Sequence, residues 1–302
     1  MTTASAPLPT RRADLLARLA QPHHYDLAVI GGGATGLGVA LDAAARGFSV
    51  VLVDSHDFAK GTSSRATKLV HGGVRYLAQG NIALVREALH ERTTLLHNAP
   101  HLAQPLPFVM PSYHFWETPF YGIGLKMYDA LAGKAGLGAT EFMGRARTLE
   151  CLPTARPEGL KGGVKYWDGQ FDDARLALAL ARTAASLGAL VVNYCPARSL
   201  IHEAGKVAGF VCEDADSGQQ FTVRARTVVL ATNGYTPDGL YPAFANRTVP
   251  ALSNILVTRP LTDDERNATK SRYGELRNFT YQQPFATNFH MNDVSALSVS
   301  AE

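Results

Sequence analysis

Residues 25–54 read YDLAVIGGGATGLGVALDAAARGFSVVLVD, and this stretch decides the fold. Tyr25–Ile30 is a short apolar run, the pattern of a strand buried on both faces. Glycines follow at 31, 32, 33, 36 and 38. Ala34–Arg46 is rich in alanine and predicts a helix closed by Gly47. Ser49–Val53 is a second apolar run, and Asp54 ends it. Strand, glycine turn, helix and strand make a βαβ unit, which requires a parallel sheet. Gly31-x-Gly33-x-x-Gly36 stands directly between strand and helix. The first glycine permits the tight turn, the second lets a pyrophosphate approach the backbone, and the third lets helix and strand pack closely. The helix N-terminus adds unpaired N–H groups and a partial positive charge. Asp54, 18 residues after Gly36, is placed to hydrogen-bond ribose hydroxyls, and its charge disfavours a 2′-phosphate. A glycine turn that merely packs is the bland alternative, and the flanking strands and the acid argue against it. The motif alone does not separate FAD from NAD.

The whole chain has 302 residues, 46% hydrophobic and 18% charged. At roughly 150 residues per domain, that length allows two domains or one large interrupted one. The net charge is only +3, and with no Lys/Arg run nothing calls for nucleic acid. Cys151, Cys195 and Cys212 are odd in number, far apart and without a C-x-x-C pair. They read as buried, inert thiols in a reducing cytosol, not as a disulfide framework or metal site. No apolar run approaches the ~18–20 residues of a membrane-spanning helix, and the N-terminus lacks a signal peptide's apolar core. Met1–Thr10 reads as disordered and Arg11–Ala20 as a short amphipathic helix.

Beyond the βαβ unit, residues 55–80 are a polar Gly/Ser/Thr-rich connection. Ile82–His97 is helical. Five prolines between Pro100 and Pro119 exclude a regular helix there. Phe120–Leu131 is apolar and aromatic. Asp173–Leu187 is a long alanine-leucine helix ended by Gly188. The adjacent Asp172 and Asp173 precede it and read as capping groups, not a catalytic carboxylate pair. Val191–Tyr194, Ala197–His202, Val207–Glu213 and Gln220–Arg224 read as strands. Thr227–Ala231 reads as a further buried strand, running into Thr232-Asn233-Gly234.

The most informative stretch is residues 61–76, GTSSRATKLVHGGVRY. A nicotinamide-dependent enzyme normally passes quickly from the second strand into another helix. Here a loop crowded with hydroxyls, glycines and basic groups follows. Such a loop can track a longer cofactor: hydroxyls along a ribityl chain, glycines against a flat ring, Arg and Lys for an anion.

GGGATGLGVALDAAARGFSVVLVD and GTSSRATKLVHGGVRYL resemble the FAD-dependent glycerol-3-phosphate dehydrogenase family, within the D-amino-acid-oxidase-like flavoproteins. YGIGLKMYDALAG and YWDGQFDDARLALALARTAASLGA are similar to it as well, so the resemblance covers about residues 25–230. It implies an α/β fold: a Rossmann-like FAD-binding domain with a parallel sheet, interrupted by a mixed α+β substrate domain. The expected limits are an N-terminal extension at 1–21, an FAD-binding domain at 22–110 and 172–235, a substrate region at 111–171 and 236–272, and an unassigned tail at 273–302.

The resemblance further implies non-covalent FAD, with Gly31, Gly33 and Gly36 at its pyrophosphate. Asp54 would meet the adenosine ribose, and Thr62, Ser63 and Ser64 the phosphate–ribityl portion. His71, Gly72 and Gly73 would lie near the flavin ring. Arg75 matches the arginine that meets a substrate phosphate, and Tyr76 the tyrosine beside it. A guanidinium's fixed fork of donors suits phosphate oxygens. Without the resemblance, Arg75 would read as a surface ion pair, His71 as a satisfied turn histidine and Lys68 as a solvated lysine. Thr232 belongs to a turn walling the adenine-pyrophosphate part. The family's A-T-G there is Ala231-Thr232-Asn233 here, and asparagine tolerates φ > 0 well enough to keep the turn. Implied partners are a small phosphorylated polyol and a quinone or other electron acceptor. Peripheral contact with the inner face of the cell membrane follows from the quinone, with the aromatic Phe115–Tyr128 segment as the candidate surface and an ordinary core helix as its alternative.

After about Gly234 the pattern changes. Residues 231–266 look more like amine and amino-acid oxidases of the same superfamily. Asn254 stands where the dehydrogenases carry a histidine, and an amide cannot act as a general base. From Tyr273 no family pattern is visible, and 302 residues look short for a complete active site. Two rival expectations follow: an amine or amino-acid oxidase, or a truncated, frameshifted or spliced chain without catalysis.

Overall fold

A computed structural model describes residues 11–244 and 247, apart from Ala78, Thr154 and Asp238. The readings made for Met1–Thr10, Asn254 and the tail from Tyr273 lie outside the described residues. In chain order come α1 (Arg12–Ala20), β1 (His24–Ile30), α2 (Ala34–Ala45), β2 (Val50–Val53), a 3-10 turn at Thr62–Ser64, β3 (Leu69–Val70) and α3 (Val74–Leu77). Then follow α4 (Ile82–Asn98), β4 (Ala103–Ser112), α5 (Glu117–Ala132), β5 (Glu141–Gly144), α6 (Arg145–Cys151) and β6 (Gly162–Phe171). The last elements are α7 (Asp173–Ser186), β7 (Leu190–Val192), β8 (Ala197–Glu203), β9 (Lys206–Glu213) and β10 (Gln220–Leu230). Among the described residues, those up to Ala66 and from Asp173 onward form one compact unit, and Thr67–Asp172 forms the other.

The first unit is built on a six-stranded sheet in the order β7-β2-β1-β10-β9-β8. β7, β2, β1 and β10 run parallel, while β9 and β8 pair antiparallel. Alternate residues of the central strands serve opposite faces. Val29, Val50 and Leu52 pack against alanines 40, 43 and 44 of α2 and 177, 181 and 184 of α7. Ala28, Ile30, Val51 and Val53 face the other side, with Leu19 of α1 and Phe210 of β9. Both faces are covered, so the strands read as unbroken apolar runs. Each fully buried Val or Leu contributes about 1.5–3 kcal/mol. Small side chains on α2 and α7 let both helices lie close to the sheet.

β10 is one strand of 11 residues, where the sequence suggested two. Its first half pairs with β9 (Arg224↔Gly209) and its length from Arg224 to Leu230 with β1. Pairing with β1 runs on from Arg224 through Ala225 to Thr227 and beyond, which carries the strand across Arg224-Ala225-Arg226, where the apolar run breaks.

The second unit has a sheet in the order β3-β6-β4, with β5 also pairing β6. The Pro-rich stretch is not helical, as expected; it holds β4, which among the described residues pairs only with β6. Pro105, Pro107 and Pro111 fall on alternate positions of one parity. An edge strand accepts prolines where its N–H groups point away from the partner. The sequence reading did not recognise β6, which supplies the middle of this sheet. Residues 67–110, expected beside the glycine turn in an FAD-binding domain, pack within this second unit. α5 buries Gly122, Leu125, Tyr128 and Ala132, while Phe120, Ile123 and Met127 on its other face are exposed.

Candidate functional site

In the first unit, three parallel strands end in line. Ile30 pairs with Val53 on one side and Leu230 on the other. The next residues are therefore Gly31, Asp54 and Ala231, side by side along one edge. Gly31 has φ +117, and a Cβ there would lie 2.4 Å from the Ala231 carbonyl oxygen. A Cβ on Gly36 would lie 1.9 Å from the Gly31 oxygen. These two glycines thus perform the turn and close-packing roles expected of the first and third positions. Gly33 caps α2 in an extended conformation. A Cβ on it would meet the Ser63 hydroxyl at 3.1 Å and no other described atom within 4 Å, so this side of the turn is open.

Ser63 lies in the 3-10 turn Thr62–Ser64, and its Oγ accepts the Ala34 N–H at 2.9 Å. The residue expected along a phosphate–ribityl chain therefore already sits at the α2 N-terminus. Asp54 is tied to the same turn. Its Oδ2 accepts the Gly32 N–H at 2.5 Å and its Oδ1 accepts the His56 N–H at 2.8 Å. A carboxylate has about four lone-pair sites, so both oxygens can still accept from a diol. Asn233 has φ +54, and its Oδ1 accepts the Gly234 N–H at 2.8 Å. Asparagine does hold the turn. The Thr232 hydroxyl meets that of Thr236 at 2.5 Å. The elements offer a glycine cradle, a helix N-terminus, an anchored acid and hydroxyls on one edge, a donor set that fits a dinucleotide such as FAD. Asp173 accepts the N–H groups of Ala174 at 2.7 Å and Ala66 at 3.2 Å, consistent with a helix-start role.

His71–Tyr76 belongs to the second unit. β3 runs antiparallel to β6 through Val70↔Gly169, which carries the following residues past Asp168. Gly72 is buried, and its N–H donates to Asp168 Oδ1 at 3.1 Å. Gly73 has φ +72. His71 is exposed, Tyr76 is 41% exposed, and Arg75 lies on α3. Asp168 also accepts from Arg92 Nη1 at 3.0 Å and the Tyr128 hydroxyl at 3.3 Å. Burial pushes the Asp168 carboxyl up, opposed by the Arg92 hydrogen bond and charge. Tyr128 and Tyr166 are held protonated chiefly by burial, and the nearby Asp168 charge adds to it.

Arg92, Tyr128 and Asp168 were not anticipated as parts of a site. Their signal was faint: single charges inside otherwise apolar helix and strand patterns. All three cysteines are buried and free, as expected, but the Cys195 and Cys212 thiols influence one another, which lowers the Cys195 thiol and raises the Cys212 thiol. Among the described residues no cluster of His, Cys, Asp and Glu is arranged to hold a metal.

Residues 26–290 match the family model described as FAD dependent oxidoreductase. The match runs beyond Tyr273, where the sequence showed no pattern. A mitochondrial glycerol-3-phosphate dehydrogenase of Rattus norvegicus is 45% identical over 255 residues, covering 80% of this chain and 35% of that protein. Its Homo sapiens counterpart is 46% identical over 241 residues, covering 76% and 33%. The solved structure of the glycerol-3-phosphate dehydrogenase from Bacillus halodurans, complexed with FAD, is 36% identical with a TM-score of 0.56, over 73% of this chain and 36% of that one. The chain thus spans about a third of the length of the curated relatives it matches.

Proposed function

The chain belongs to the FAD-dependent oxidoreductase family, and from that premise we propose that it acts as an FAD-dependent glycerol-3-phosphate dehydrogenase. The substrate would be sn-glycerol 3-phosphate and the product dihydroxyacetone phosphate. The observation that carries this reading is the alignment of Gly31, Asp54 and Ala231 at three strand ends, joined to the His71-Gly72-Gly73-x-Arg75-Tyr76 motif. When bound, FAD supplies the two-electron acceptor for the hydride leaving C2.

The protein's part is to hold and orient. Gly31, Gly33 and Gly36 cradle the pyrophosphate at the α2 N-terminus. Asp54 receives the ribose hydroxyls; Thr62, Ser63 and Ser64 follow the phosphate–ribityl portion; Thr232 closes the adenine side. His71, Gly72 and Gly73 border the flavin ring. Arg75 grips the substrate phosphate, with Tyr76 beside it, because a guanidinium fork matches two phosphate oxygens.

A quinone is the acceptor this reading favours, with the protein at the inner face of the cell membrane. No helix among the described residues is long and apolar enough to cross a membrane. Phe120, Ile123 and Met127 are exposed at helical spacing along α5, with exposed Trp116 just before it, a face suited to lying in the headgroup region. Asn254, where the dehydrogenases carry histidine, favours a second reading, an amine or amino-acid oxidase. A non-catalytic chain that binds FAD weakly or not at all is the third.

The test is direct. The purified chain, loaded with FAD, is mixed anaerobically with glycerol 3-phosphate and then with amines and amino acids. Bleaching of the flavin band by the phosphate ester supports the first reading. Bleaching by an amine alone supports the second, and no bleaching the third.

A further inference from the structure

We infer that Asp168, clasped by Arg92 and Tyr128, is a positioning residue that sets the backbone of His71–Tyr76 without touching flavin or substrate. The inference rests on the reading that this stretch meets the flavin ring and the substrate phosphate.

The network is closed to water. Arg92 is 1% exposed, Tyr128 2% and Asp168 4%. Asp168 Oδ1 accepts from Arg92 Nη1 at 3.0 Å, from Gly72 N at 3.1 Å and from Gly169 N at 3.1 Å. Its Oδ2 accepts from the Tyr128 hydroxyl at 3.3 Å. Arg92 Nη2 reaches the Ala135 carbonyl at 3.0 Å and ties the clasp to the 3-10 turn Gly133–Ala135 that follows α5. Carboxylate hydrogen bonds of this kind are roughly twice as strong as neutral ones.

Such a group is not explained by stability. Buried ion pairs are often matched or bettered by apolar residues of the same volume. This one also leaves Arg92 Nε without a partner among the described residues, a further cost. What the network does supply is location. Gly72 is held by its N–H, and its Cα is wedged: a Cβ there would lie 2.1 Å from the Tyr128 hydroxyl and 2.5 Å from Leu89 Cδ2. Gly73 follows with φ +72, and a Cβ on it would lie 2.8 Å from the Tyr76 ring. Arg75 and Tyr76 come within four residues of the pinned amide. Three constraints on two glycines therefore fix where α3 begins. A misplacement of about 1 Å can cost ~100-fold in rate, so a group that never touches the reactants can still govern them.

Asp168→Asn and, as the milder change, Tyr128→Phe test this in the full chain. Amide exchange is followed for the peptide covering 69–77, with peptides covering 31–54 as the internal reference. The flavin midpoint potential and the anaerobic reduction rate per bound flavin are measured on the same samples. We expect Asp168→Asn to speed exchange at 69–77 by at least ~10-fold, leave 31–54 unchanged, retain FAD and shift the potential or slow reduction at least ~10-fold, with Tyr128→Phe changing in the same direction and less. Unchanged exchange at 69–77 in both variants would overturn the positioning claim. Faster exchange with potential and reduction rate at wild-type values would overturn it too, since the clasp would then be structural only. If Asp168→Asn does not fold, Tyr128→Phe alone decides by the same criteria. A wild-type chain that takes up no FAD would overturn the functional reading, and this inference with it. A wild-type chain that binds FAD but ignores glycerol 3-phosphate would overturn the substrate assignment alone, leaving exchange and potential to decide the role of Asp168.

Discussion

Gly36→Ala, set against Gly38→Ala two residues further along α2, isolates the contact on which the glycine turn depends. A Cβ on Gly36 would lie 1.9 Å from the Gly31 carbonyl oxygen and 3.1 Å from the Ala231 Cβ. An ordinary C···O contact is about 3.3 Å or more, so the two elements must part by roughly 1.4 Å. The opposing atom is backbone and has no rotamer to escape into. Overpacking of this kind costs about 1–3 kcal/mol, and a backbone clash belongs at the upper end. The better helix propensity of alanine returns about 1 kcal/mol. The expected net loss is about 2 kcal/mol, equivalent to roughly a 30-fold change in an equilibrium constant. Gly38 has no described atom within 4 Å of its added Cβ, so alanine there should stabilise by about 0.5–1 kcal/mol. Urea unfolding reads the first share of the strain, and FAD titration by flavin fluorescence reads the share taken up by distortion of the turn. Gly36→Ala should lose on one or both counts while Gly38→Ala loses on neither. If Gly36→Ala proves as stable as Gly38→Ala and binds FAD equally well, the close-packing argument for the third glycine is refuted.

Other expectations follow from the same geometry. Arg75→Ala should weaken binding of the phosphate substrate, by at least ~10-fold for a lost bidentate ion pair, with flavin content unchanged. Equal loss of both, measured by flavin absorbance and substrate titration, would make Arg75 structural. Stability against pH should separate two acids. Hydrogen bonds from Ser217, and then from Arg12, lower the Asp214 pKa from 3.8, so its contribution is present above that value and is lost as pH falls through the folded pKa. Burial raises the Asp168 pKa from 3.8, so its contribution is present below that value and is lost as pH rises through the folded pKa. Urea midpoints from pH ~2 to ~6, a range spanning the usual carboxyl pKa values, should show Asp214→Asn narrowing its deficit against wild type in acid. Asp168→Asn should show the opposite trend. Phe120→Ser with Ile123→Ser should reduce co-sedimentation with anionic lipid vesicles and leave the far-UV spectrum unchanged; equal sedimentation would remove α5 from the membrane proposal.

What could be read directly from the sequence was local. The run from Tyr25 to Asp54 declares itself because parallel strands covered on both faces need no polar alternation, and because a turn this tight admits only glycine at Gly31. Asn233 was legible for a similar reason, since few residues tolerate a positive φ. β10 was split in two where its arginines break the apolar run, although β1 pairs with it from Arg224 to Leu230. β4 was hidden by prolines that only an edge strand accepts, and β6 with it. The buried clasp was invisible because Arg92 and Gly72 lie 76 and 96 residues from Asp168, and no local pattern links them. Asp54 was assigned a ligand role, while its bond to the Gly32 amide was missed. The same carboxylate shapes the turn and remains able to receive a ribose.

The most direct test of the account is the visible spectrum of the FAD-loaded chain before and after anaerobic glycerol 3-phosphate. The account predicts a bound flavin band that bleaches on addition of the phosphate ester and returns on addition of a quinone. A chain that takes up no flavin, or a band that bleaches with an amine and not with the phosphate ester, would contradict it.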